Sequence, residues 1–265
     1  MKSTSRVRAL IVLLLLTGGG MGRDGITRDS VSAEPLRNLD DERLFRLMIE
    51  DVQDQRGVAV QNAAKQELRQ RGTNALGMFV RYLEHPCAPG AQEIQEIVTG
   101  WDSNAIPLLL EYCGSTTNRQ TRRALVYFMG LMRNKDAAPA CLRELGDARN
   151  RSTALWALGN CGVTASLVFA REWLRESSQE MVRVRAAGVL GKIGETQDVA
   201  VLVQALACDR AWNVRCAAAG ALLQHGAYAC NVLTARWSEL GTNARTLARQ
   251  VLEQTTNFNA KCSRQ

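Results

Sequence analysis

The residues with the greatest potential for chemistry are two histidines and eight cysteines. His85 stands two residues before Cys87 in a His-Pro-Cys turn, and this pair could supply two ligands to a metal ion. The other histidine, His225, is far away in the sequence, and two ligands alone are a weak signal for a metal site. No H-E-x-x-H, G-x-S-x-G or phosphate-binding glycine loop is present. We therefore expect no metal, no cofactor and no catalytic residue, and a protein that is not an enzyme.

The cysteines divide into two groups by their position in a helical pattern. Cys113, Cys141 and Cys161 fall at apolar positions, where free cysteine behaves as a small hydrophobic residue. The others are nearer to predicted helix ends and turns: Cys87, Cys208, Cys216, Cys230 and Cys262. In an oxidising compartment Cys208–Cys216 and Cys230–Cys262 are candidate disulfides, although spacing alone leaves the pairing open.

The composition favours helices and gives little support to nucleic-acid binding. The chain is 46% hydrophobic but only 5% aromatic, and Ala, Leu, Val and Arg dominate its second half. Of the formal net charge of +7, three charges come from Lys2, Arg6 and Arg8 near the N-terminus. Elsewhere basic residues are scattered among acidic ones with no dense basic run, so we expect no nucleic-acid partner.

The first 22 residues have the order of a secretory signal peptide. Lys2, Arg6 and Arg8 precede an apolar core at residues 9–16, and small residues follow. The uncharged stretch of residues 9–22 is shorter than the ~20 residues that a spanning helix needs. We expect a periplasmic or secreted protein with no membrane-spanning segment after signal removal. Cleavage is expected near Gly20 or Gly22. An uncleaved N-terminal anchor and a buried N-terminal helix are the alternatives.

One motif occurs three times at a spacing of 32 residues. Residues 182–194 read VRVRAAGVLGKIG, residues 150–162 read NRSTALWALGNCG, and residues 214–226 read VRCAAAGALLQHG. Looser copies begin near residues 60, 94 and 121, and residues 243–252 match the first helix of a seventh copy. A helix beginning after Asn38 or Asp40 would cover the front of the array.

Each copy can form two helices that are joined by a short turn. In the copy at Val182, apolar residues recur every three or four positions up to Ile193, and Gly194 is a candidate C-cap in the left-handed conformation. A second apolar helix starts after Asp198. The small residues Ala186, Ala187 and Gly188 are predicted to let the two helices approach closely.

The pattern V-R-x-x-A-A-x-x-L-G-x-x-G, followed by a turn and a second apolar helix, resembles the HEAT-repeat family. The likeness is strongest to the short bacterial HEAT-like repeats that also occur in phycobilin lyases. The resemblance implies an all-α fold, an α-α superhelix (solenoid) of about six HEAT-like helix pairs with helical caps. We expect a signal peptide at 1–22, a linker at 23–37, the solenoid at 38–255 and a C-terminal tail at 256–265.

The aligned arginines of the repeats are predicted to be structural. In HEAT-like repeats an arginine here typically braces the turn against an acid near the preceding helix end, for which Asp209, Glu180 and Asp147 are candidates. The arginines concerned are Arg122, Arg151, Arg183 and Arg215.

The resemblance also implies that a concave face, lined by the second helices, binds a protein partner. Tyr, Trp and Arg are enriched at binding hot spots. The candidate partner-binding residues are Tyr82, Arg143, Arg171, Trp173, Gln204, Arg236 and Trp237. The alternative is that the aromatic residues pack between repeats and the charged residues form a solvated face.

The leading interpretation is therefore an exported protein-binding scaffold. A lyase-like enzyme of the HEAT-like type and a structural element of the cell envelope are the alternatives. The partner and the oligomeric state are left open by the sequence.

Overall fold

The computed structural model describes residues 36–50, 55–85, 90–101 and 103–262, with no side-chain description for residue 56 or beyond residue 256. The predicted signal peptide, nearly all of the predicted linker, Cys87 and the side chain of Cys262 lie outside the described residues. Helices make up most of the described chain, and no strand occurs in these ranges. The prediction of an all-α fold is confirmed.

The described residues form two compact units, and the first ends at Leu108. Its helices are α1 (Asp41–Ile49), α2 (Gln55–Arg71), α3 (Leu76–Glu84) and α4 (Ala91–Val98). Phe45 and Phe79 are fully buried in its core. As predicted, Asp40 caps α1, because its Oδ1 accepts a hydrogen bond of 2.7 Å from the backbone N–H of Arg43.

The second unit begins at Leu109, and the boundary between the units falls inside helix α5 (Ile106–Ser115). The helices that follow are α6 (Arg119–Met132), α7 (Ala138–Glu144), α8 (Arg151–Asn160), α9 (Ser166–Glu176), α10 (Glu180–Ile193), α11 (Asp198–Cys208), α12 (Trp212–Gln224), α13 (Gly226–Ala235) and α14 (Thr242–Cys262). Helix α10 packs against α8 on one side and α12 on the other, as stacked repeats require.

The order of helices matches the predicted repeats. Along the chain α2/α3, α4/α5, α6/α7, α8/α9, α10/α11 and α12/α13 are six pairs, with α1 before them and α14 after them. The first member of each pair is called a first helix below, and the other a second helix. In the second unit the first helices α6, α8, α10, α12 and α14 pack side by side.

The close approach between helices occurs at a different glycine from the predicted one. A Cβ added to Gly188 would have no atom within 4 Å, so Gly188 makes no close contact. A Cβ on Gly191 would lie 2.7 Å from the Cα of Ala221, and one on Gly159 would lie 2.7 Å from a methyl group of Val189. The repeat glycine therefore lets successive first helices meet, a contact between repeats rather than within one.

The end of α10 also corrects the sequence analysis. Helix α10 ends at Ile193 as predicted, but Gly194 has φ −71° and ψ 164°, which is extended rather than left-handed. A Cβ on Gly194 would lie 2.1 Å from the carbonyl oxygen of Leu190. Glycine is needed there because a side chain would collide with the helix end.

Candidate functional site

Two of the repeat arginines, Arg122 and Arg183, brace the repeats through a carboxylate, as predicted. Arg183 is 3% exposed, and its Nε and Nη2 donate to the two carboxylate oxygens of Asp209 at 2.8 and 3.1 Å. Arg122 Nε donates to Glu144 Oε1 at 3.0 Å, and Asp147 lies 3.9 Å from its Nη2. These acids follow the arginine by 22 to 26 residues, at the end of the second helix of the same pair. The prediction that each arginine pairs with an acid at the end of the preceding helix is therefore wrong, because the acids come later in the chain than the arginines.

The other two arginines lie over tryptophan rings. Arg151 lies 4.9 Å from the ring centroid of Trp173, and Arg215 lies 5.2 Å from that of Trp212. The position 26 residues after Arg183 is Asp209, whereas the same step from Arg151 reaches Ser177 and from Arg215 reaches Gly241. No carboxylate stands at those two positions. Trp173 on α9 takes the place of the acid for Arg151 on α8, whereas Trp212 lies on the same helix as Arg215 and connects no second helix to it.

Two of the predicted partner-binding aromatic residues are half-buried and engaged within their own unit. The ring of Tyr82 packs against that of Phe45, with centroids 4.1 Å apart, and its hydroxyl lies 3.5 Å from Glu42. Trp173 packs against Phe169, with centroids 5.4 Å apart, besides its contact with Arg151. Packing inside the fold accounts for much of the surface of both residues.

Two of the predicted arginines are held in ion pairs. Arg171 Nε donates to Asp198 Oδ1 at 2.5 Å, and Glu195 also lies within 3.3 Å of the guanidinium. The Asp198 side chain is only 1% exposed, so Arg171 neutralises a buried charge. A substitution of Arg171 would leave that charge unpaired and would destabilise the fold. Arg236 Nε donates to Glu239 Oε2 at 2.8 Å, at the surface. The pKa of Arg171 is raised above its ordinary value, first by the hydrogen bond to Asp198 and then by the negative charges of Asp198 and Glu195.

Arg143 and Gln204, by contrast, are exposed on second helices. Steps of 29 and 32 residues relate Arg143 to Glu172 and Glu172 to Gln204, and Glu172 is exposed as well. A further step of 32 reaches Arg236, which is half-buried. Trp237 is also half-buried, in a short 3-10 turn that follows α13. Arg143 and Gln204 thus lie at equivalent positions of their second helices, Arg236 follows the end of α13, and Tyr82 lies in the other unit.

An apolar strip that the sequence analysis missed lies one helical turn before this polar row. Pro139, Val168 and Ala200 occupy equivalent positions on α7, α9 and α11, and all three are exposed. Val168 is 63% exposed although it lies inside an ordered helix. The signal that could have revealed it is Val168 itself, which adjoins the buried Leu167 but points away from the apolar stripe of α9. We call Pro139, Val168, Ala200, Arg143, Glu172 and Gln204 the second-helix row.

A groove lies along the first helices α8, α10 and α12, away from the second-helix row. It has a volume of about 390 Å³. Its lining includes Trp156, Arg185, Gly188, Lys192, Gly220 and Gln224. We call it the first-helix groove. Because Arg185 and Lys192 lie seven residues apart, both fall on the same face of α10.

A stack of side chains fixes one wall of the first-helix groove. The ring of Tyr127 on α6 stacks on that of Trp156 on α8, with centroids 4.8 Å apart and planes 19° apart. The guanidinium of Arg185 on α10 then lies 5.7 Å from the centroid of Trp156. Three successive repeats therefore contribute to one ordered wall.

The cysteines correct one prediction and confirm another. Cys113, Cys141 and Cys161 are buried free thiols, as expected for apolar positions. Burial, aided by its neighbours Cys161 and Cys113, raises the pKa of Cys141, and burial raises that of Cys161 to about 11.

The proposed pair Cys208–Cys216 is wrong, because both residues are free thiols. Cys208 is exposed at the end of α11, whereas Cys216 occupies the position on α12 equivalent to Val184 of the first-helix groove. Cys230 is a free thiol as well, so it does not form the predicted disulfide with Cys262.

The described residues also bear on metal binding and on membrane insertion. No group of three or more His, Cys, Asp or Glu side chains within the described ranges is placed to hold a metal ion. Across the same part of the chain, no helix has the length and apolar character needed to cross a membrane.

The stacked helix pairs define a helical repeat scaffold. A family model for HEAT repeats matches residues 140–223 and 169–253, which is the region where the 32-residue motif is clearest. This match covers residues 140–253 and confirms the predicted resemblance to HEAT repeats in that part of the chain. A search of curated proteins found no match.

Proposed function

We propose that this chain is a non-catalytic, exported scaffold that binds a partner protein through the second-helix row. The observation that carries the proposal is the 63% exposure of Val168 in the first turn of α9. Burial of a valine side chain stabilises a protein by about 1.5–3 kcal/mol, and Val168 is not buried in the core of the repeat. A partner protein would gain that energy.

The composition of the row supports a protein as the occupant. Its apolar members, Pro139, Val168 and Ala200, are flanked by the polar side chains of Arg143 and Gln204. An apolar centre with a polar rim is the usual anatomy of a protein interface. The family supports the same reading, because helical repeat scaffolds commonly bind other proteins along an extended surface.

The test is photo-crosslinking in cells from single positions of the row. We expect a photoreactive amino acid at Val168, and separately at Gln204, to capture the same protein, identified by mass spectrometry. The matched control is Met181, which is 55% exposed on the first helix α10 and lies outside the row.

Capture of that protein equally from Met181 would contradict the assignment of the surface. Capture of no protein from any row position, in cells where the tagged protein is abundant, would contradict the scaffold itself.

A further inference from the structure

The first-helix groove carries positive charge that its own surroundings do not neutralise. Arg185 and Lys192 line it, and neither forms an ion pair with a carboxylate in the described part of the chain. Lys192 instead donates a hydrogen bond to Asn160 Oδ1. Desolvation, and then the positive charges of Arg133 and Arg185, lower the pKa of Lys192 below its ordinary value. An anionic group in the groove would relieve this repulsion.

The helices around the groove offer almost no acid to balance these cations. Helices α8 and α12 contain no Asp or Glu, and α10 contains only Glu180 at its first position. Glu180 accepts a hydrogen bond of 2.8 Å from Asn213 Nδ2, at the opposite end of α10 from Lys192. Arg183, on the same helix, is neutralised by Asp209. The unbalanced positive charge of the groove therefore comes from Arg185 and Lys192, and not from the other charged residues of α10.

The spacing of the two cations suits an extended peptide. Seven residues of an α-helix rise about 10.5 Å, so Arg185 and Lys192 lie about that far apart along α10. A polyproline II chain is an extended conformation with three residues per turn and a rise of about 3.1 Å per residue, so residues three positions apart lie on one face and are separated by a similar distance. Two carboxylates with this spacing could pair with the two cations at the same time.

The floor of the groove leaves room for a backbone. A Cβ added at Gly188 or at Gly220 would meet no atom within 4 Å, so the surface between the cations is open. Asn160 and Gln224, which also line the groove, carry amide groups that can both donate to and accept from a peptide unit. The volume of about 390 Å³ admits a short segment rather than a folded domain.

A peptide fits these features better than a nucleic acid does. Single-stranded nucleic acids are bound by basic grooves with free aromatic faces for the bases. The aromatic residue of this groove, Trp156, is already in contact with Tyr127 and Arg185. The groove offers two cations and amide groups, which match carboxylates on a peptide backbone.

We infer that the first-helix groove binds an extended acidic segment of a protein, with carboxylates three residues apart on Arg185 and Lys192. This site is independent of the second-helix row and does not need Val168.

The test uses the full chain and a labelled six-residue alanine peptide with glutamates at its second and fifth positions. The comparison peptide carries glutamine at both positions. We expect saturable binding of the glutamate peptide, measured by fluorescence polarisation, and a Kd about tenfold or more lower than for the glutamine peptide. Raising the salt concentration should weaken the binding.

Variants of the groove separate a specific site from general attraction to a basic protein. Arg185→Gln with Lys192→Gln should raise the Kd about tenfold or more. The matched control, Arg149→Gln with Arg175→Gln, removes the same charge from exposed positions outside the groove and should leave it unchanged. Gly188→Leu should also abolish binding, because it fills the floor while both cations remain.

Three results would overturn the inference. They are equal binding of the two peptides, an equal effect of the control variant, and binding that persists in Gly188→Leu. Binding of anionic lipid vesicles or of an oligonucleotide through Arg185 and Lys192, without binding of the glutamate peptide, would assign the groove to that occupant instead and would also overturn it.

Discussion

At the scale of single residues, the repeat arginine shows how one sequence position meets two environments. Arg183 binds the carboxylate of Asp209, whereas Arg151 lies over the ring of Trp173. The sequence predicted that these arginines brace the fold, because they recur in register. It did not predict the partner correctly, since the acid lies 26 residues further along the chain and only the packed helices bring the two together.

The first prediction concerns Arg183. Arg183→Gln leaves the Asp209 carboxylate, whose side chain is 8% exposed, without its cation and removes the donor to the backbone carbonyl of Ser177. Breaking a buried ion pair from one side costs about 3–5 kcal/mol. We expect the free energy of unfolding, measured with urea, to fall by about that amount.

The control for this prediction is Arg185→Gln, two residues further along the same helix. Arg185 is half-buried and contacts Trp156 without an ion pair, so its loss should cost under about 1 kcal/mol. Equal losses in the two variants would mean that the pair with Asp209 does not brace the repeat.

At the scale of helices, periodicity predicted the elements well and their contacts less well. The limits of α10 and α11 follow from the apolar spacing and from the turn before Asp198. The role of Gly188 was misassigned, because periodicity marks small residues without saying which neighbouring helix they face. Exposed apolar positions such as Val168 were missed for the same reason, since a valine reads as core until the packing is known.

A pair of glycine substitutions on α10 tests the contact between repeats. Gly191→Ala places a Cβ 2.7 Å from the backbone of Ala221 and should destabilise the protein by about 1–3 kcal/mol. Gly188→Ala meets nothing within 4 Å and should stabilise it by about 0.5–1 kcal/mol, because alanine favours the helix. Thermal unfolding of both variants beside the parent measures the difference.

The opposite order of stability would show that successive first helices do not approach at Gly191. Stabilisation by both substitutions would show the same.

At the scale of the whole molecule, the described residues contain six helix pairs where about six were predicted, and a family model for HEAT repeats matches residues 140–253. The division into two units was not predicted, because its boundary falls inside helix α5 and no linker composition marks it. Of the predicted partner-binding residues, Arg143 and Gln204 are exposed, whereas Arg171 is paired with Asp198. The sequence could not separate these cases, because ion pairs between repeats depend on the packing.

Export remains a prediction that concerns the whole chain. If residues 1–22 are a cleaved signal peptide, the protein recovered from an expressing bacterium should begin near Gly20 or Gly22 and be released with the periplasmic fraction. N-terminal sequencing of that material gives the answer. A protein that keeps Met1 and stays with the cytoplasmic fraction would contradict the prediction.

The central claim, that the second-helix row binds a protein, is tested most directly by the affinity of the crosslinked partner for two variants. Val168→Asp should raise the Kd about tenfold or more in isothermal titration calorimetry, because it places a charge in the apolar strip. Met181→Asp, the matched change on α10, should leave the Kd unchanged, and both variants should unfold at the parent temperature. An unchanged Kd for Val168→Asp, in a protein as stable as the parent, would contradict the claim.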